Sequence, residues 1–325
     1  MAHPRHVLVT GGAGFIGSHL VDLLLREGDH RVSVLDRLSQ GGRRENLDQH
    51  QDDPRFTFVL GDVNDGELVD RLVSGADAIV HCAAQAHVDR SIVGPRDFVL
   101  TNLLGTQAVL DACRARGRRL LMVSTDEVYG ANEPGDRRFS EDDGLRPRSP
   151  YAASKAGADL LCSAYHTTYG TDVTIVRGTN AYGPRQLERV MPTYTLAALR
   201  RLPIPVYGAG QQRREWLHVE DWVRAAALIL ERGEPGVVYN IGDGFELSNL
   251  ELAERICDLA GAPRSLISFV PDRPGHDFRY GVRCERLRAL GWEPGVPFAE
   301  GLARTVDWYR THLDEVVRAT PAPVR

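Results

Sequence analysis

Two acids stand side by side in Ser124-Thr125-Asp126-Glu127-Val128-Tyr129-Gly130, with hydroxyl residues before them and no basic neighbour. The apolar run Leu120-Leu121-Met122-Val123 ahead of them reads as a buried strand. The pair therefore falls where a parallel strand ends, the place at which open α/β sheets bind ligands. A plain turn would ask for Gly, Asn or Pro there. Adjacent carboxyls push each other's pKa values apart, so one can hold a proton while the other is ionised, the division that general acid–base chemistry needs. A second reactive pair follows in Ser149-Pro150-Tyr151-Ala152-Ala153-Ser154-Lys155. Tyr151 and Lys155 lie one helical turn apart on one face. A lysine ammonium beside a phenol is expected to stabilise the phenolate and draw its pKa down from about 10, making Tyr151 a base toward an alcohol.

Those groups need a scaffold, and the chain before them supplies one. Val7-Leu8-Val9-Thr10 is a short buried strand, followed by the glycine turn Gly11-Gly12-Ala13-Gly14-Phe15-Ile16-Gly17 and an amphipathic helix from Ser18 to Glu27. Glycines there let the backbone turn tightly and approach a pyrophosphate, whose charge sits on the helix N-terminus. The next strand, Val32–Leu35, ends at Asp36, about 20 residues on, where an acid takes the adenosine ribose hydroxyls and repels a 2′-phosphate. NAD is thus expected over NADP, although Arg37 beside it keeps NADP open. Phe56–Leu60 is a third strand ending at Gly61-Asp62-Val63; Asp62 either receives the adenine amino group or caps the following helix. Ala78–His81 is a fourth, leading into Cys82-Ala83-Ala84-Gln85, where small residues allow close approach to a ligand. Arg96–Arg116 reads as one long helix, whose Thr101-Asn102 hold either a neighbouring strand loop or the cofactor. Strands and helices alternating at this rhythm imply a doubly wound parallel sheet, a Rossmann α/β fold.

The second half changes character. A sixth strand, Val173–Val176, precedes Arg177-Gly178-Thr179-Asn180-Ala181-Tyr182-Gly183-Pro184-Arg185, after which short apolar segments and prolines become frequent. Helices are expected over Val190–Leu202, Glu220–Arg232, Ser248–Ala260 and Phe298–His312, with short strands at Val206-Tyr207 and Val237–Ile241. We divide the chain into an NAD-binding domain, 1–178, with segments near 213–240 returning to it, and a smaller α/β domain, 179–325. Arg185, Arg189, Arg213, Arg214 and Arg273 form either a scattered surface charge or a diphosphate site, for which planar guanidinium donors are suited.

Composition narrows the function classes. The 325 residues carry 39 basic and 44 acidic side chains, a net charge of −5, which argues against nucleic acid as the main partner. Five scattered cysteines without a C-x-x-C pair read as reduced thiols in a cytoplasmic protein. The histidines show no helical metal spacing, so no metal is expected. No apolar run reaches membrane length, and no signal-peptide pattern precedes the first strand.

Together these features resemble the extended short-chain dehydrogenase/reductase family over nearly the whole chain, and within it the nucleoside-diphosphate-glucose 4,6-dehydratases, above all those acting on dTDP-glucose. The resemblance rests on Gly11–Gly17, His87-Val88-Asp89-Arg90-Ser91, Ser124–Gly130, Tyr151 with Lys155, Asn180–Pro184, Arg214-Glu215-Trp216 and Asp272–Asp277. It implies a deoxysugar-forming enzyme in which Tyr151 and Thr125 address the glucosyl 4-hydroxyl while NAD takes hydride from C4. Glu127 then removes the C5 proton, Asp126 protonates the departing C6 hydroxyl, and hydride returns to C6. It also implies cofactor contacts at Gly11, Gly14, Phe15, Ile16, Gly17, Asp36, Asp62, Val63, Ala83, Ala84, Thr101, Tyr151 and Lys155. Substrate contacts are implied at Gln85, Thr125, Asn180, Arg189, Pro205, Tyr207, Arg214, Asn249, Arg273 and His276, and a homodimer through the helices around Arg96–Arg116 and Tyr151–Tyr169. Gln85 where Glu is frequent, Ala181 where a second Asn is usual, a residue fewer in Gln186–Arg189 and Glu215 where Asp is common are departures that bear on base and sugar specificity. The competing readings are a UDP-sugar 4,6-dehydratase, a 4-epimerase and a noncatalytic NAD-sensing protein; the Asp126-Glu127 pair argues against the second, and retention of Tyr151 with Lys155 against the third.

Overall fold

The computed structural model describes residues 5–39, 41–132, 137–272 and 276–320. In chain order its strands are β1 His6–Thr10, β2 Arg31–Asp36, β3 Phe56–Leu60, β4 Ala78–His81, β5 Arg119–Thr125, β6 Val173–Gly178, β7 Asn180–Tyr182, β8 Ile204–Tyr207, β9 Arg213–His218, β10 Val238–Ile241, β11 Glu246–Ser248 and β12 Ile267–Val270. Seven of them make one parallel sheet in the order β10-β6-β5-β4-β1-β2-β3. Its strands read as unbroken apolar runs because helices cover both faces. Val7, Val9, Val32, Val34, Val80 and Leu121 enter one core, while Leu8, Leu35, Ile79, Leu120 and Met122 enter the other. The strand order reverses between β1 and β4, which opens a crevice at their C-terminal ends.

The helix Pro150–Tyr169 starts where its sequence says it should. The Ser149 side chain accepts from the Ala152 N–H, Pro150 occupies the first turn, and Gly170 closes the helix in the left-handed region at φ 68°. The long helix expected over Arg96–Arg116 is interrupted. A short helix, Pro95–Phe98, passes into a π-helical turn, Val99–Leu104, before an α-helix, Gly105–Arg116. Such turns are frequent at functional sites, and this one carries the buried pair Thr101-Asn102.

The remaining strands form two small sheets. β9 lies between β7 and β11, and β8 pairs with β12. The helix Val219–Arg232 packs against the helix Phe15–Glu27, and β10 is the edge strand beside β6. Arg213–His218 is the middle strand of the three-stranded sheet. A separate core around Tyr182, Met191, Tyr194, Trp216, Leu252 and Leu302 supports this part.

Candidate active site

The ends of the large sheet and the small sheets enclose one cavity of about 900 Å³. Of the site residues expected from the sequence, Arg273 lies outside the described residues, and Lys155 is buried beneath the wall; the others line the cavity.

At the β1 end the backbone makes a cradle. Gly11 has φ 69°, and a Cβ there would meet the Ala83 nitrogen at 2.6 Å, so only glycine lets the two loops close together. Asp36 is buried at the end of β2, where its carboxylate accepts from the Ala13 N–H at 3.0 Å and the Leu38 N–H at 2.8 Å. Burial raises its pKa against those bonds. Asp62 is not the helix cap, which is Asp65 accepting from the Leu68 N–H. Instead Asp62 accepts from Arg37 at 2.8 Å, and Arg37 also reaches Ser39 and Thr101. Arg37, the cation that follows Asp36, is thereby committed to neighbouring protein groups. Asn102 settles its own open question: its Oδ1 accepts from the Gln85 N–H at 2.7 Å, and its Nδ2 donates to the Gln85 carbonyl at 2.9 Å and to Ser154 at 2.9 Å. It holds the loop after β4.

The chemical centre lies at the end of β5. Ser124 and Thr125 still belong to the strand, and Asp126–Tyr129 form a single 3-10 turn. The Thr125 hydroxyl accepts from the Glu127 N–H at 3.3 Å and donates to Asp126 Oδ1 at 3.2 Å, which aims the turn. Asp126 is 3% exposed, and its Oδ2 has no partner among the described residues. Burial, then the charges of Glu127 and Glu215, raises its pKa well above the usual carboxylate range. It therefore holds a proton where an ordinary aspartate would not. Tyr151 is delivered by the first turn of its helix, with Phe98 edge-on to its ring at 6.3 Å.

Lys155, expected to act on the Tyr151 phenol, also ties the helix into the sheet. The Lys155 ammonium, the only lysine of the chain, donates to the Val123 carbonyl at 2.6 Å, tying the helix to β5. Burial lowers its pKa. The phenol of Tyr151 is pushed up to about 12 by burial and then by Glu127, with Arg189 and a hydrogen bond with Thr125 opposing. The positive group facing the phenol is Arg189, whose guanidinium lies 5.9 Å from the ring centroid and donates to the Ala86 carbonyl. Beside it Arg90 bridges to Glu188 at 2.5 Å.

The opposite wall comes from the small sheets. Arg214 donates to the carbonyls of Arg213, Phe278 and Asp277 and stacks over Tyr280 at 4.5 Å, which fixes its guanidinium. His276 meets Asp272 at 2.6 Å and stands edge-on to Tyr207 at 5.9 Å. Asn180, Pro205 and Asn249 complete this wall. Arg213 is instead paired with Glu246 and Glu251, and Arg185 with Asp22. Tyr280 also lines the cavity and was not singled out from the sequence. Among the described residues, no cluster of three or more His, Cys, Asp or Glu is arranged to hold a metal ion.

Residues 8–305 match the family described as GDP-mannose 4,6 dehydratase. The chain is 49% identical over 316 residues to a dTDP-glucose 4,6-dehydratase of Actinoplanes sp., covering 94% of this chain and 98% of that one. It is 50% identical over 305 residues to the low-salt glycan biosynthesis protein Agl12 of Haloferax volcanii, covering 93% and 98%. The crystal structure of DesIV, a dTDP-glucose 4,6-dehydratase from Streptomyces venezuelae with NAD bound, superimposes with a TM-score of 0.94 at 47% identity, covering 97% of this chain and 100% of that one. The extent of these matches and the shared fold establish that the chain belongs to the GDP-mannose 4,6-dehydratase family, within the extended short-chain dehydrogenases/reductases.

Proposed function

We propose that the chain is an NAD-dependent dTDP-glucose 4,6-dehydratase, converting dTDP-glucose to dTDP-4-keto-6-deoxyglucose. The observation that carries this reading is the placement of Asp126 and Glu127 in one cavity with Tyr151 and Thr125. An epimerase has no hydroxyl to expel and no use for a protonated acid next to a second carboxyl.

The cradle of Gly11, Gly14 and Gly17, with Asp36 at its rim and Arg37 held on Asp62, fits a dinucleotide without a 2′-phosphate. NAD held by these residues would supply a hydride acceptor toward C4 and a hydride donor toward C6. Tyr151 takes the proton of the 4-hydroxyl, and Thr125 orients that oxygen. Since burial holds the phenol protonated, a positive charge beside it is needed to release the proton, and Arg189 supplies one from the protein. The C4 ketone acidifies the C5 proton, which Glu127 removes. Asp126, whose burial favours the protonated carboxyl, delivers a proton to the departing C6 hydroxyl, and the proton taken up by Glu127 returns to C5. Asn180, Arg189 and Arg214 take the diphosphate, and Asn249, Pro205, Tyr207 and His276 surround the nucleoside. The residues 1–178 with the helix Val219–Arg232 and β10 form the NAD-binding domain, and the rest is mainly the nucleotide-sugar domain.

The five unpaired cysteines support a cytoplasmic setting, and no described helix is long and apolar enough to cross a membrane. Exposed apolar side chains on the helices before and after β5 support a homodimer. The test is incubation with dTDP-, UDP- and GDP-hexoses followed by mass analysis. Loss of water from dTDP-glucose is the expected result; an unchanged mass with an inverted C4 would replace this reading by an epimerase.

A further inference from the structure

One hydrogen-bond donor in the cavity has no task in this chemistry. Trp216 is 2% exposed and contributes to the cavity wall. Its indole Nε1–H is sealed from solvent and has no acceptor among the described residues. An indole nitrogen only donates, so no tautomer or flip of the ring can satisfy it. Buried donors are nearly always paired, and an exception calls for an explanation. Trp292, equally buried, obeys the rule: its Nε1–H donates to the Asp221 carbonyl at 3.3 Å.

The surroundings indicate which acceptor is missing. Side chains alternate along a strand, so Trp216 shares its face of β9 with Arg214. Across the parallel pairing with β7, Trp216 is in register with Asn180. Arg214 is immobilised by three backbone carbonyls and Tyr280. The Trp216 ring is held by Tyr182, edge-on at 6.3 Å and 79°. Trp216 thus occupies strand positions next to Asn180 and Arg214, which line the same cavity and are assigned to the diphosphate.

We propose that the Trp216 indole N–H is a substrate-binding donor to an oxygen of the hexosyl diphosphate, completing a floor shared with Asn180 and Arg214. The inference rests on the nucleotide-sugar reading of this cavity. Because the group only donates, its partner is a phosphate oxygen or a sugar hydroxyl, and the apolar surroundings of the ring make the bond selective for a ligand that brings an acceptor to that spot.

The chain has four tryptophans, so a protein labelled with 15N in the indole gives four side-chain signals. Trp216→Phe identifies the one from Trp216; should that variant fail to fold, Trp222→Phe, Trp292→Phe and Trp308→Phe identify it by elimination. On titration with thymidine diphosphate or dTDP-glucose the Trp216 proton is expected to move downfield. Movement with both ligands assigns the diphosphate, and movement with dTDP-glucose alone assigns the hexose. In Trp216→Phe the KM for dTDP-glucose should rise about tenfold with kcat within about twofold, the pattern of lost uniform binding. A signal that stays in place with both ligands, while wild-type protein turns over dTDP-glucose, overturns the inference and leaves the proposed function standing. Wild-type protein that neither binds nor dehydrates dTDP-glucose overturns the proposed function itself.

Discussion

At the scale of single residues, the site works through opposed environments for neighbouring carboxyls. Asp126 is sealed and Glu127 half-buried, so burial favours the proton more strongly on the first. Asp126→Asn should therefore still oxidise C4, visible as a build-up of reduced-nicotinamide absorbance, while product formation falls by about 10²–10⁴. Normal turnover by that variant would remove the acid role. Beneath Asp126, Glu215 is fully buried, accepting from the Gly244 N–H at 2.8 Å and the Val282 N–H at 3.3 Å, with Arg138 at 3.7 Å. Burial pushes its pKa from 4.5 up to about 7. Between those two values the folded chain keeps a proton that the unfolded chain has released. Its contribution to stability thus falls as pH rises through that window and stays low above it. Glu215→Gln cannot titrate and should flatten that part of the urea-midpoint profile against pH, whatever its baseline stability. An unchanged slope would show that Glu215 is ionised in the folded state throughout.

At the scale of elements, reactive side chains are aimed by groups that touch no substrate. The π-helical turn brings Asn102 to the loop after β4, where it makes three buried hydrogen bonds. At about 1 kcal/mol each, Asn102→Ala should cost about 2–3 kcal/mol in urea unfolding and loosen the Gln85 segment of the cavity wall. A variant with an unaltered midpoint would mean that the loop is held by its packing alone. The sequence was informative where chemistry and geometry are local. The glycine turn, Asp36, the acid pair and the Tyr151 helix each announce themselves within a few residues. It was silent where a partner is backbone or comes from far along the chain. That Lys155 also bonds the Val123 carbonyl was not legible, since carbonyls leave no mark in a sequence. The π-helical turn was hidden because its apolar spacing over six residues hardly differs from that of an α-helix. Tyr280 reaches the cavity beside an isolated bridge between Arg213 and Arg279, a contact that alternation cannot foresee.

At the scale of the whole molecule, the apolar surface left over by folding is unevenly placed. Val93 is 73% exposed, Leu160 61% and Leu104 46%, with Ile92, Val99 and Leu100 also uncovered. All six lie between Val88 and Leu104 or on the helix Pro150–Tyr169, and these segments pack against one another. Scattered exposed leucines need no explanation, but a cluster on packed helices supports the proposed homodimer. Two-fold assembly lets one such surface cover its own copy, the commonest solution among homo-oligomers. The same helices carry Tyr151, Lys155 and Asn102, so the pairing would brace the wall that presents the phenol. Light scattering is expected to give about twice 35.9 kDa for the wild type and 35.9 kDa for Leu160→Glu, because a carboxylate at the centre of an apolar interface would be buried without a partner. Wild-type protein at the monomer mass would leave this surface without its proposed occupant. A Leu160→Glu protein that stays dimeric would place the interface elsewhere on the molecule.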